Sequence, residues 1–91
     1  MSAHVRIPTI LRTYTGGQNE VEASGHTVGH VLASLDADYP GIKGRILDDE
    51  GKLRRFVNVY VDGDDVRYSG GLDTPVSDGA VVQVLPSVAG G

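Results

Sequence analysis

Apolar and polar residues alternate along this chain with a period that changes twice, and each change marks an element. From His4 to Arg12, Val5 and Ile7 alternate with Arg6 and Pro8, which predicts a half-buried strand whose proline lies at an edge or bulge. Thr15-Gly16-Gly17-Gln18 is turn chemistry. Beyond it Val21 and Ala23 alternate with Glu20, Glu22 and Ser24, so the first two strands should form an antiparallel hairpin. The period then lengthens, because Val28, Val31, Leu32 and Leu35 fall at i, i+3, i+4 and i+7, one apolar stripe on a helix of about three turns. Thr27 is placed to cap that helix, and Pro40-Gly41 stops it close to Tyr39. The stretch from Lys43 to Lys52 sets glycines and acids around Ile46-Leu47 and reads as an irregular connection.

Strict alternation returns with Val57, Val59 and Val61 on one face and Phe56, Asn58 and Tyr60 on the other, and a strand apolar on both sides belongs inside a sheet. Asp62-Gly63 then reverses the chain into a short strand around Val66-Arg67-Tyr68. A loop carrying Leu72, Pro75 and Val76 leads to the Asp78-Gly79 turn, and Val81-Val82-Gln83-Val84-Leu85 forms a last strand ended by Pro86. The order β-β-α-β-β-β describes an α+β domain. One helix laid across a mixed sheet of four or five strands buries both apolar surfaces in two layers, which is the β-grasp (ubiquitin-like) arrangement. A ferredoxin-like fold would need a second helix, and 43–52 is a poor source for it.

Composition narrows the chemistry. In 91 residues there is no cysteine, which excludes disulfides, thiolate metal sites and a thiol nucleophile. Eight Lys+Arg against twelve Asp+Glu give a charge of -4, so neither a nucleic acid nor an anionic membrane is an expected partner. The start lacks the layout of a secretory signal, and a cytoplasmic protein, monomeric when free, is expected. His26 and His30 stand four apart, but no Glu follows His26 and no third ligand is near, so two solvated histidines explain them and no metal is expected. Asp62-Gly63-Asp64-Asp65 lacks the rest of a calcium loop, and Ser69-Gly70-Gly71 lacks the setting of a serine nucleophile. Arg6, Arg12, Lys52, Arg54, Arg55 and Arg67 could form a basic patch for a phosphate-bearing partner, although solvated strand positions are the better account of them.

The C-terminus carries the strongest signal. The chain ends Leu85-Pro86-Ser87-Val88-Ala89-Gly90-Gly91 directly after its last strand. The six residues from Pro86 onward form an arm that spans about 20 Å when extended, slim enough at its tip to thread a narrow channel. The domain is assigned to residues 1–86 and a flexible tail to 87–91. Gly91 presents an α-carboxylate, which is ionised at neutral pH and a poor electrophile until one oxygen is made a leaving group. Adenylation by ATP would do that. The chain has neither a G-x-x-x-x-G-K-[ST] nor a G-x-G-x-x-G motif, so the ATP chemistry is assigned to a partner and no bound cofactor is expected.

A β-grasp domain with this ending resembles the ubiquitin-like sulfur-carrier family of the thiamin (ThiS) and molybdopterin (MoaD) carriers. The resemblance spans nearly the whole chain. It lies in Val5-Arg6-Ile7-Pro8, in Phe56-Val57-Asn58-Val59-Tyr60-Val61 before Asp62-Gly63, and in Gly71 to Gly79 leading to the Gly90-Gly91 end. Ile7-Pro8-Thr9-Ile10-Leu11-Arg12, Thr15-Gly16-Gly17-Gln18 and Val88-Ala89-Gly90-Gly91 are most similar to carriers that serve cysteine biosynthesis. The resemblance implies a protein co-substrate rather than an enzyme. A partner of the ubiquitin-activating type adenylates Gly91 at the expense of ATP, and sulfide converts it to a thiocarboxylate. A PLP-dependent cysteine synthase uses that sulfur, and a metal-dependent peptidase releases the cysteine. Gly91 then carries sulfur, while Gly90, Ala89 and Val88 thread the partner active sites. Family docking through the open sheet face makes Phe56, Tyr60 and Leu85 candidate contacts. A molybdopterin-synthase small subunit and a ubiquitin-like modifier conjugated through Gly91 are the alternatives.

Overall fold

A computed structural model describes residues 2–55 and 57–86. Five strands form one sheet in the order β2-β1-β5-β3-β4. β1 (Ser2–Arg6) pairs antiparallel with β2 (Glu20–Ser24), in register from Ser2 opposite Ser24 to Arg6 opposite Glu20. β5 (Val81–Pro86) lies at the centre, parallel to β1 and antiparallel to β3 (Val57–Val61). The two-residue β4 (Asp64–Asp65) closes the far edge. The helix α1 (Val28–Asp38) buries the expected stripe, with Val28, Val31, Leu32 and Leu35 all fully shielded. They meet Val5, Val59, Val82 and Val84 from the sheet in a single core, the two-layer β-grasp arrangement. Thr27 caps α1 by accepting a hydrogen bond from the His30 amide at 3.2 Å.

At several points the local structure departs from the alternation pattern. The first strand stops at Arg6 rather than running to Arg12. Pro8 supplies no amide and enters a 3-10 helix over Thr9–Thr15, which closes at Gly16 in the left-handed region (φ 65°). Within it Leu11 turns into the core and Ile10 out of it. The connection after Pro40 contains a short helix, α2 (Lys43–Ile46). Asp36 Oδ1 accepts the amides of Gly41 and Lys43, and Ile42 and Ile46 fill the core beneath. Val66-Arg67-Tyr68 is a 3-10 turn rather than a strand, because the Asp65 carboxylate accepts the Arg67 amide and draws the backbone out of the ladder. Leu72 lies in another such turn, Gly71–Asp73. The turn at Asp62-Gly63 has positive φ at both residues, 49° and 91°, a conformation that this residue pair tolerates.

Pro86 is the last residue of the sheet. It faces Val57, and Leu85 faces Asn58. Because the Asp62 amide donates to the Val81 carbonyl, alternation makes Asn58 and Leu85 a hydrogen-bonded pair and Val57 and Pro86 a non-bonded one. Proline therefore ends β5 at a register position that asks nothing of its missing N–H.

Candidate functional site

β5 ends at Pro86, immediately before residues 87–91 in the chain, and three segments frame that end. On one side β1 pairs with β5 only as far as Arg6 opposite Gln83, after which Ile7-Pro8 carries the chain away into the 3-10 turn. That divergence opens a cleft of about 560 Å3 beside Gln83, Val84, Leu85 and Pro86. On the other side a smaller cleft of about 260 Å3 lies between Pro86, Val57, Arg45 and Arg54. Pro8, Ile10, Val84 and Pro86 line both. Pro8, Ile10 and Pro86 form an apolar ridge over the buried Val84 at the end of β5, crowned by Ile10, which is 66% exposed.

Arginines flank the ridge. Arg6 and Arg12 line the larger cleft, and Arg45 and Arg54 the smaller. Arg12 Nε donates to the Ile7 carbonyl at 3.2 Å, and Arg54 Nε donates to the Gly44 carbonyl at 2.9 Å, so each guanidinium is held by its inner nitrogen. Arg6 lies 3.6 Å from Glu20, the single acid among the described residues that line either cleft. A fifth arginine braces the frame from behind. Arg67 donates to Asn58 Oδ1, to the Arg54 carbonyl at 2.9 Å and to the Val57 carbonyl at 2.6 Å, fixing the segment against which Leu85 and Pro86 pair.

Among the residues expected to act, Leu85 is 38% exposed and Tyr60 half-buried. Tyr60 lies opposite Gln83, which makes Leu85 its diagonal neighbour on the open face of the sheet. Phe56, Val88, Ala89, Gly90 and Gly91 lie outside the described residues. His26 and His30 are both exposed, and among the described residues no group of three or more metal-ligating side chains converges. No helix of the described residues is long and apolar enough to cross a membrane. Alternation singles out neither Ile10 nor Arg45, since Ile10 falls inside the expected first strand and Arg45 inside an expected irregular loop. The signal for Ile10 is Pro8 itself, which breaks the alternation two residues earlier.

With this geometry in hand, three likenesses are informative. The sulfur carrier protein CysO of Mycobacterium tuberculosis is 56% identical over 93 residues, covering 100% of both chains. Its crystal structure superposes with a TM-score of 0.91 over 94% of this chain and 99% of that one. CysO from the BexX/CysO complex of Amycolatopsis orientalis is 52% identical, also at a TM-score of 0.91, over 98% and 99% of the two chains. Small archaeal modifier protein 3 of Haloferax volcanii is 46% identical over 65 residues, 71% of this chain and 70% of its own. The ThiS family model matches residues 5–91, from the first strand through the terminal glycines. This β-grasp chain, matched from its first strand through Gly91, belongs to the ThiS family, and it is a sulfur carrier rather than a catalyst.

Proposed function

We propose that this chain carries sulfur as a thiocarboxylate on Gly91 and delivers it to cysteine biosynthesis. The observation that carries the reading is full-length similarity to CysO joined to the placement of β5, which is the central strand and leads straight to residues 87–91. The chemistry has two steps. A Gly91 carboxylate oxygen attacks the α-phosphorus of ATP within a partner of the ubiquitin-activating type, giving an acyl-adenylate and pyrophosphate. Sulfide then attacks the acyl carbon, AMP leaves with its oxygen, and a thiocarboxylate remains. The carrier needs no cofactor of its own, because ATP is consumed by the activating partner.

The next steps also belong to partners. The thiocarboxylate sulfur takes the place of the activating group on the β-carbon of a serine derivative held by a PLP-dependent synthase, that group departing as its C–O bond breaks, and the acyl group then shifts from sulfur to the amino nitrogen. A metal-dependent peptidase then cuts the amide between Gly91 and the new cysteine. In all of these the chain's own task is to present its end. The slim Ala89-Gly90-Gly91 tip passes into the active sites, with Val88 behind it. Leu85 and Tyr60 offer contacts on the sheet face, and Phe56 is the third candidate. That CysO of Amycolatopsis orientalis is known in a complex with BexX supports docking of the folded domain on a partner protein.

Incubation with ATP, sulfide and the activating enzyme of the same genome should raise the intact mass by about 16 Da, as one oxygen is exchanged for sulfur at the terminal acyl group. Removing Gly91 or adding one residue after it should abolish the gain. An unchanged mass with active enzyme would refute the reading. Supplying the thiocarboxylated chain to the synthase, and separately to a molybdopterin precursor, identifies which acceptor takes the sulfur. A second reading is favoured by likeness to small archaeal modifier protein 3, namely isopeptide attachment through Gly91. Gly-Gly remnants on cellular lysines, without a thiocarboxylate species, would select it.

A further inference from the structure

The arginines around the tail root are spare in the chemistry above, and their distribution is not that of a randomly decorated surface. Four of the eight basic residues but only one of the twelve acids line the two clefts beside Pro86. The side-chain charge there is thus +3, on a chain whose total is -4. Arg6 is the one member of the four with a close ion pair among the described residues, and Arg54 also feels the more distant Asp48 carboxylate. Arg12 and Arg54 are tied through Nε to backbone carbonyls, and the Arg45 guanidinium makes no hydrogen bond or ion pair with the described residues. Anchoring by Nε keeps a guanidinium in place while its outer nitrogens can meet an incoming carboxylate, so less freedom is lost on binding than with a loose lysine.

We infer that these arginines form a basic collar that docks on an acidic rim surrounding the tail entrance of the activating enzyme, with Ile10 seated in an apolar socket between the two halves of the rim. This rests on the carrier reading above. The layout favours a protein occupant, and the carrier reading makes that protein the activating enzyme. The collar is divided, Arg6 and Arg12 on one side of the Pro8-Ile10-Pro86 ridge and Arg45 and Arg54 on the other, so one phosphate group could not satisfy both halves. An apolar centre edged by charge is the anatomy of a protein interface. Net repulsion elsewhere on the chain disfavours a polyanion such as RNA.

The pairing also explains selectivity. An acidic rim repels a bare C-terminal carboxylate, and only a tail that arrives on a matching collar has that repulsion offset.

The test compares wild type with the Arg12→Gln/Arg45→Gln/Arg54→Gln variant, an Arg12→Lys/Arg54→Lys variant that keeps the charge, and Lys52→Gln as a control outside the clefts. Carrier-dependent ATP–pyrophosphate exchange and direct calorimetric binding are both followed from 25 to 300 mM NaCl, on samples whose folding is checked by circular dichroism. We expect the triple variant to raise KM about tenfold at low salt with kcat unchanged, and to flatten the salt dependence that the wild type shows. The Lys variant should recover most of the affinity, and Lys52→Gln should match wild type. Exchange with equal KM in wild type and triple variant, indifferent to salt, overturns the collar and leaves the carrier reading standing. Salt-dependent binding that the triple variant loses, without any exchange, upholds the collar and refutes adenylation. No binding of wild type overturns both. A lower KM in the triple variant would show that the collar holds the chain's own terminal carboxylate instead, and overturns the proposal.

Discussion

Arg67 offers a direct measure of how firmly the tail root is held. Its guanidinium reaches Asn58 Oδ1 and the carbonyls of Arg54 and Val57, so one side chain ties the strand start that pairs with Leu85 and Pro86. A hydrogen bond to a charged group contributes roughly 1.5–3 kcal/mol in a shielded setting, but Arg67 is exposed and solvent takes back most of that. Arg67→Ala should therefore cost about 1–2 kcal/mol in all. For a domain of this size that lowers Tm by roughly 5–10 °C. Native-state hydrogen exchange locates the loss. The amides of Asn58 and Leu85, each of which donates to the other residue's carbonyl across the ladder, should exchange roughly 5- to 30-fold faster, whereas amides of β2 that exchange by fraying at the opposite edge should barely change. Arg67→Lys should restore only part of the protection, since one ammonium cannot serve three acceptors in a fixed fork. Equal exchange at Asn58 and Leu85 in wild type and Arg67→Ala would refute the bracing role, whatever happens to Tm.

Two further predictions concern the frame. Gly25 has φ 153°, and a Cβ there would lie 2.7 Å from the Val31 amide nitrogen at the start of α1. Gly25→Ala should cost about 2–4 kcal/mol, seen as a lower urea midpoint, and a midpoint within error of wild type would show that α1 can shift to make room. Asp48 is held below the ordinary carboxylate value of 3.8, chiefly because the Lys52 amide donates to it, with the Glu50 amide adding to this. A depressed folded value means its contribution is present above pH 3.8 and lost as pH falls through the lowered value. The stability difference between wild type and Asp48→Asn should accordingly shrink on acidification below that point, and a difference constant with pH would exclude the linkage.

Most of the sheet and the helix could be read from periodicity, because Val28, Val31, Leu32 and Leu35, or Val21 and Ala23, are positions where burial decides the pattern. Apart from the first strand, which Pro8 cuts short, the misread segments are those where a side-chain carboxylate accepting backbone amides decides instead. Asp65 accepting the Arg67 amide makes a turn of what propensity calls a strand, and Asp36 accepting the Gly41 and Lys43 amides starts a helix in a glycine-rich stretch. The candidate site divides in the same way. The Gly90-Gly91 end is plain in the sequence, since its meaning lies in what is missing from each residue. The collar is not, because Arg6, Arg12, Arg45 and Arg54 come from three segments that meet only once β1 diverges from β5 at Pro8.

The poverty of its tip explains why a carrier should keep such a surface. Ala89, Gly90 and Gly91 together carry one methyl group, whose burial contributes under about 1 kcal/mol. Bringing two proteins together costs roughly 4–15 kcal/mol before any contact is counted. On the proposed function, a tip slim enough to enter an active site cannot supply the affinity that brings it there, and the two demands fall to different parts of the chain. Affinity has to come from the folded domain at a fixed distance from Gly91, which requires a root that does not slide. The pinned end of β5, braced by Arg67 and ringed by Ile10 and the arginines, is such a root. Lengthening the chain between Pro86 and Gly91 by one glycine should then leave binding to the activating enzyme within about twofold while kcat falls by at least tenfold, because only the register of the acyl group is changed. A parallel loss of binding would place the affinity in the tail and remove the reason for the collar.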